Sequence, residues 1–187
     1  IRRMNELGMV LDVSHINDKG FWDILELSDG HPVIASHSNA RAVSPHMRNL
    51  SDDMIRALAK TGGVMGMNRA DGFIHPDKAK QTVEGLADHV DYIRDLVGID
   101  HIGCGFDFED YVDQAALSKN GIADEDPAGT KGIESAAQAH NFLDVLERRG
   151  YTQEELEKVA AYCRVSTDSS DQLNSYRTQI GYYTNFI

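Results

Sequence analysis

MVLDVSH, residues 9–15, is an apolar run that ends on a serine and a histidine. The same grammar returns twice. Val33, Ile34 and Ala35 run into Ser36 and His37, and the apolar run 102–106 ends on Asp107. A fourth run, GVMGM, occupies 63–67. Short continuous apolar runs of this kind read as strands of a buried parallel sheet. Three possible metal ligands at the C-terminal ends of three such strands form the layout of a (β/α) barrel active site.

Between the runs the apolar period changes from that of strands to that of helices. Asn17 or Asp18 is placed to cap a helix carrying Phe21, Trp22, Ile24 and Leu25, with Gly30 as its stop. Ser51 caps a second, with Met54, Ile55 and Leu58 on one face and Gly62 after it. Val83, Leu86, Val90, Ile93 and Val97 keep a helical period that Gly98 ends. Phe142, Leu143 and Leu146 mark a further helix closed by Gly150, and Thr152 with Glu155 fits a capping box. Strand alternating with helix is the signature of a parallel α/β sheet. A closed eight-stranded barrel takes about 250 residues, whereas this chain has 187. The expected fold is therefore α/β, the C-terminal half of a (β/α)8 TIM barrel with about four strand–helix units, carrying a short appended strand–helix tail.

The formal net charge of −12 argues against a nucleic-acid partner, which wants a basic face. Asp124, Glu125 and Asp126 lie beside Pro127 and Gly129 and read as a polar loop. Cys104 and Cys163 form neither a disulfide framework nor a CxxC pair, and Cys104, inside an apolar run, reads as buried rather than reactive. No run of about 18 apolar residues exists, so no membrane span is expected. No signal peptide is evident, and a cytoplasmic location is favoured.

Neutral imidazole and carboxylate together suit Zn²⁺. His15 in DVSH, His37 in ASHS and Asp107 in GCGFDFED are the candidate ligands. The other histidines, His31, His46, His75, His89, His101 and His140, fall in loops or helices and read as surface or supporting residues.

These same motifs, together with MRNL at 47–50, resemble the membrane (renal) dipeptidase family of zinc peptidases over about residues 1–158, in order as well as in composition. The resemblance implies a (β/α)8 barrel that hydrolyses dipeptides at a two-zinc centre. His15 and His37 resemble the two histidines on one zinc. Arg48 resembles the arginine that holds the substrate carboxylate, a task suited to a bidentate guanidinium. Asp107 resembles the aspartate near the other zinc, placed to handle a proton and the substrate amine. Glu109 stands where the family more often has a second aspartate. The family's His-x-Asp pair, zinc-bridging glutamate and further substrate-binding histidine belong to the first half of the barrel, which this chain is expected to lack. An inactive truncated half-barrel is thus the alternative to an active peptidase. Open sheet edges would then favour self-association.

Residues 159–187 read differently. YCRVSTDS at 162–169 resembles the amino-terminal start of large serine recombinases, in which Ser166 would be the nucleophile and Arg164 would steady the phosphate. One expected strand, at 160–166, and one helix, at 169–186, do not make a catalytic domain. The expectation is a fusion scar, with the domain boundary between 158 and 159.

Overall fold

The computed structural model of the chain describes residues 1–108 and 129–160. A short helix α1, Arg2–Glu6, opens it. Then come β1 (Leu11–Asp12), α2 (Asp18–Leu27), β2 (Val33–Ile34), α3 (Asp52–Lys60) and β3 (Met65–Met67). They are followed by α4 (Asp71–Ile74), α5 (Val83–Val97), β4 (Ile102–Cys104), α6 (His140–Arg148) and α7 (Gln153–Ala160). All four expected strands are present, trimmed at their ends. Ala160, expected to open a strand at 160–166, instead ends α7; the rest of that strand and the helix expected at 169–186, with Arg164, Ser166 and Cys163, lie outside the described residues, as do Glu109 and the loop of Asp124 to Asp126.

β1 pairs parallel with β2, Leu11 opposite Val33, and β3 pairs parallel with β4, Met65 opposite Ile102. A parallel bridge between Ala35 and Met65 joins the two pairs. The spatial order is thus the chain order, and all carboxyl ends point one way. Helices between successive parallel strands are what such connections require.

The expected caps are in place. Asn17 Oδ1 accepts from Gly20 N at 2.8 Å and Ser51 Oγ from Met54 N at 3.4 Å. Thr152 and Glu155 cap each other's backbone N–H, at 3.3 and 2.9 Å. Gly62, Gly98 and Gly150 follow helix ends with φ of 76°, 93° and 87°, a left-handed region open to glycine at no steric cost. The core is one cluster. Phe21 of α2, Ile55 and Leu58 of α3, Leu86 and Ile93 of α5, and Phe142 of α6 are buried with Val33, Met65 and Ile102 of the strands. Among the described residues no helix is long and apolar enough to cross a membrane.

Two glycines decide how tightly the carboxyl ends gather. A Cβ on Gly66 would stand 2.2 Å from the Ser36 carbonyl oxygen, and one on Gly105 would stand 2.0 Å from the same atom. Real side chains never approach backbone so closely, so glycine at both positions lets β2, β3 and β4 converge beside Ser36 and His37.

Candidate metal centre

His15 follows β1, His37 follows β2 and Asp107 follows β4, so the strand order brings all three to one end of the sheet. The ring nitrogens Nε2 of His15 and His37 lie 2.8 Å apart, with ring centroids at 4.8 Å. Asp107 Oδ2 is 4.0 Å from His37 Nε2. Arg48 reaches the same place from the loop between β2 and α3. Its Nη2 donates to the His37 carbonyl at 3.4 Å, and its guanidinium carbon lies 5.4 Å over the Phe73 ring. All four candidates from the sequence are therefore neighbours.

His15 and Asp107 have φ of 67° and 59°, the left-handed region that non-glycine residues seldom occupy. Two of the three such residues among those described are thus site candidates, and strain of this kind gathers at functional sites.

Burial lowers the proton affinity of His37, helped by His15 and Arg48 and opposed by Asp107 and Asp12. This favours the uncharged imidazole, the form that binds metal. Burial also pulls the Arg48 guanidinium down, against Asp107 and Asp12, but far too little to discharge it. Arg48 Nε is buried with no hydrogen-bond partner among the described residues. A buried donor left over in this way is costly and available to an anion.

Sequence reasoning missed the residues that hold His37. Asp12 Oδ1 accepts from the backbone N–H of Ser14 at 2.9 Å and of Ser36 at 3.0 Å. Its Oδ2 accepts from the Ser36 hydroxyl at 2.5 Å, and Ser36 Oγ lies 2.8 Å from His37 Nδ1. Burial alone would raise the Asp12 carboxyl, but these bonds to Ser36 and Ser14 outweigh it and hold it below its ordinary range. The signal was available: a carboxylate inside a strand, with a serine before each histidine. Deeper down, Asn39 and Asn68 lock two strand ends together by amide-to-backbone bonds of 2.8 and 3.0 Å. Of the remaining histidines, His89 is fully buried, taking a hydrogen bond from Ala40 N at 3.1 Å and lying 2.9 Å from the Ile74 carbonyl. It supports the loop that carries Arg48. Cys104 is half-buried, and burial pushes its thiol up to about 12, so it is no nucleophile at neutral pH.

Among the described residues no group of three or more His, Cys, Asp or Glu side chains is gathered closely enough to hold a metal ion. The convergent set is two imidazoles with one carboxylate just beyond.

The membrane dipeptidase family (peptidase family M19) matches residues 1–171, a span that runs past Val159 and takes in Arg164 and Ser166. The dipeptidase tcpJ of Claviceps purpurea is 33% identical over 159 residues, which cover 85% of this chain and 34% of that protein. An uncharacterized protein from the pqqA 5′ region of Klebsiella pneumoniae is 33% identical over 162 residues, 85% of this chain and 54% of that one. Among solved structures, a metallo peptidase from Rhodobacter sphaeroides, liganded with a phosphinate mimic of the dipeptide L-Ala-D-Ala, superposes with a TM-score of 0.69. It is 27% identical, and the match covers 96% of this chain and 46% of that one. The dipeptidase AC, a metallo peptidase, gives a TM-score of 0.70 at 28% identity, covering 95% and 47%. This chain spans between a third and about half of these relatives. Sequence match and superposition agree: the chain belongs to the membrane dipeptidase family, peptidase family M19.

Proposed function

We propose that this chain is the C-terminal half of a (β/α)8 metallo-dipeptidase barrel. Residues 1–158 form the half-barrel, and His15 and His37 would share a zinc ion. The observation that carries the reading is the meeting of the two Nε2 atoms, with Asp107 and Arg48 beside them. Two nitrogens on one tetrahedral zinc, each about 2.0–2.1 Å from it, stand about 3.3 Å apart. Opening the observed 2.8 Å gap by a small rotation of the exposed His15 ring meets that need. The donor set fits zinc chemically as well, being imidazole and carboxylate. When bound, zinc supplies Lewis acidity toward the scissile carbonyl and the attacking water.

The chain's own residues supply the rest. Arg48, always charged and stacked over Phe73, holds the substrate carboxylate through its guanidinium fork. Asp107, with a half-exposed side chain, is placed to take a proton or bind the substrate amine. The four-strand parallel order and the coverage of about half of each solved relative support the half-barrel. The recombinase-like reading of Arg164 and Ser166 rests on sequence alone, and the family match through residue 171 takes both residues in.

A second reading, that the chain by itself is inactive, is favoured by the lack of any three-ligand cluster among the described residues. Both are tested on the full chain by zinc titration against a chromophoric chelator and by dipeptide hydrolysis. Weak zinc binding is expected, falling by at least about 10–100-fold in His15→Ala or His37→Ala, with little turnover. Zinc affinity untouched by both substitutions would sink the metal site. Robust hydrolysis lost in Arg48→Ala and His15→Ala would sink the inactive reading.

A further inference from the structure

The two oxygens of Asp12 have separate partners. Oδ1 is occupied by two backbone N–H groups, those of Ser14 and Ser36. Oδ2 takes the Ser36 hydroxyl. That hydroxyl owns one proton, and a carboxylate can only accept. The proton is therefore committed to Asp12, 2.5 Å away, in preference to Ser14 Oγ at 3.4 Å. Ser36 Oγ then faces His37 Nδ1, at 2.8 Å, as an acceptor. His37 must carry its ring proton on Nδ1, which leaves a bare lone pair on Nε2 where it meets His15.

We propose that Asp12 and Ser36 are positioning residues that fix the tautomer of His37 and so present its Nε2 lone pair to the metal. The proposal rests on the reading of His37 as a ligand. Neither residue is among the candidate ligands. Both act through the direction of a chain of hydrogen bonds, a role that carboxylates commonly play behind ligating histidines.

The geometry makes the direction reversible by one atom. In Asp12→Asn the amide oxygen must take the place of Oδ1, because two N–H donors point at it. The amide NH₂ then falls at the Oδ2 position and donates to Ser36 Oγ. The hydroxyl proton is released to the nearer remaining acceptor, His37 Nδ1. The ring proton moves to Nε2, and the lone pair needed for metal is gone. The hydrogen bond between the two Nε2 atoms reverses as well, so His15 changes tautomer with its neighbour.

The test is long-range ¹H–¹⁵N correlation NMR of the metal-free full chain with labelled histidines, paired with zinc titration by chelator competition. The parent is expected to show Nδ1–H at His37, and Asp12→Asn to show Nε2–H with zinc affinity lower by about 10–100-fold. Ser36→Thr, which keeps the hydroxyl, should behave as the parent, while Ser36→Ala should lose the tautomer preference and bind zinc more weakly. The Ala and Thr pair decides the matter should Asp12→Asn fail to fold. An Nε2–H signal at His37 in the parent overturns the proposal. So does an unchanged tautomer across Asp12→Asn and across the Ser36 pair. A tautomer switch that leaves zinc affinity unaltered also overturns it. If His37→Ala then binds zinc as the parent does, the failure lies in the reading of His37 as a ligand.

Discussion

Replacing His89 by glutamine tests how the Arg48 loop is held. His89 is fully buried on α5 and joins two segments by its two ring nitrogens. Ala40 N donates to Nδ1, so Nδ1 is the acceptor, and Nε2–H donates to the Ile74 carbonyl. The ring is therefore neutral in the fold. Burial pushes it down to about 4, against the favourable Ile74 contact and the Asp88 charge. The unfolded chain has the ordinary value of about 6.5 and binds the proton more tightly. The sign follows: this contribution is fully present above about pH 6.5 and is lost as pH falls toward 4. Between about pH 7.5 and about pH 4.5 the loss is roughly 2–3 kcal/mol. In His89→Gln the amide NH₂ can reach the Ile74 carbonyl, but Ala40 N–H loses its acceptor, which costs about 1–3 kcal/mol at neutral pH. Glutamine does not titrate, so the variant should lose roughly 2–3 kcal/mol less than the parent on acidification, and the neutral-pH deficit should close or reverse. Urea unfolding at the two pH values, read by circular dichroism, gives the double difference and cancels the carboxylates common to both chains. A variant that loses as much as the parent on acidification would refute the buried neutral imidazole.

Gly66→Ala places a Cβ 2.2 Å from Ser36 O and 2.9 Å from Gly105 Cα, so thermal unfolding should report a loss of about 1–3 kcal/mol, together with shifted His37 resonances. Unchanged stability would mean that the strand ends can part freely. Strands β1 and β4 each have one partner among the described residues, and Leu7, Met9 and Trp22 are 53%, 51% and 44% exposed. Sedimentation velocity of the full chain is expected to show self-association. A sharp monomer with slow hydrogen exchange in β1 and β4 would contradict it.

The sequence by itself determined the strand–helix alternation, because burial on both faces demands unbroken apolar runs and helix faces demand a 3.6-residue period. It also determined the ends of the helices, since Asn17, Ser51, Thr152 and the glycines after each helix act on their own backbone within a few residues. Placing His15, His37 and Asp107 at strand ends followed from the same local rules. What they do together did not. The 2.8 Å approach of two imidazoles, the entry of Arg48 from a loop and the approach that Gly66 and Gly105 permit depend on strands 20 to 70 residues apart coming into register. His89 looked like any helical histidine; only the packing of α5 against the Ala40 loop and Ile74 shows both its nitrogens in use. Asp12 sits in a strand where sequence offers no reason for a charge. The fold supplies the reason, by setting it against the Ser36 hydroxyl and two backbone N–H groups, because hydrogen-bond direction is a property of three-dimensional neighbours and not of spacing.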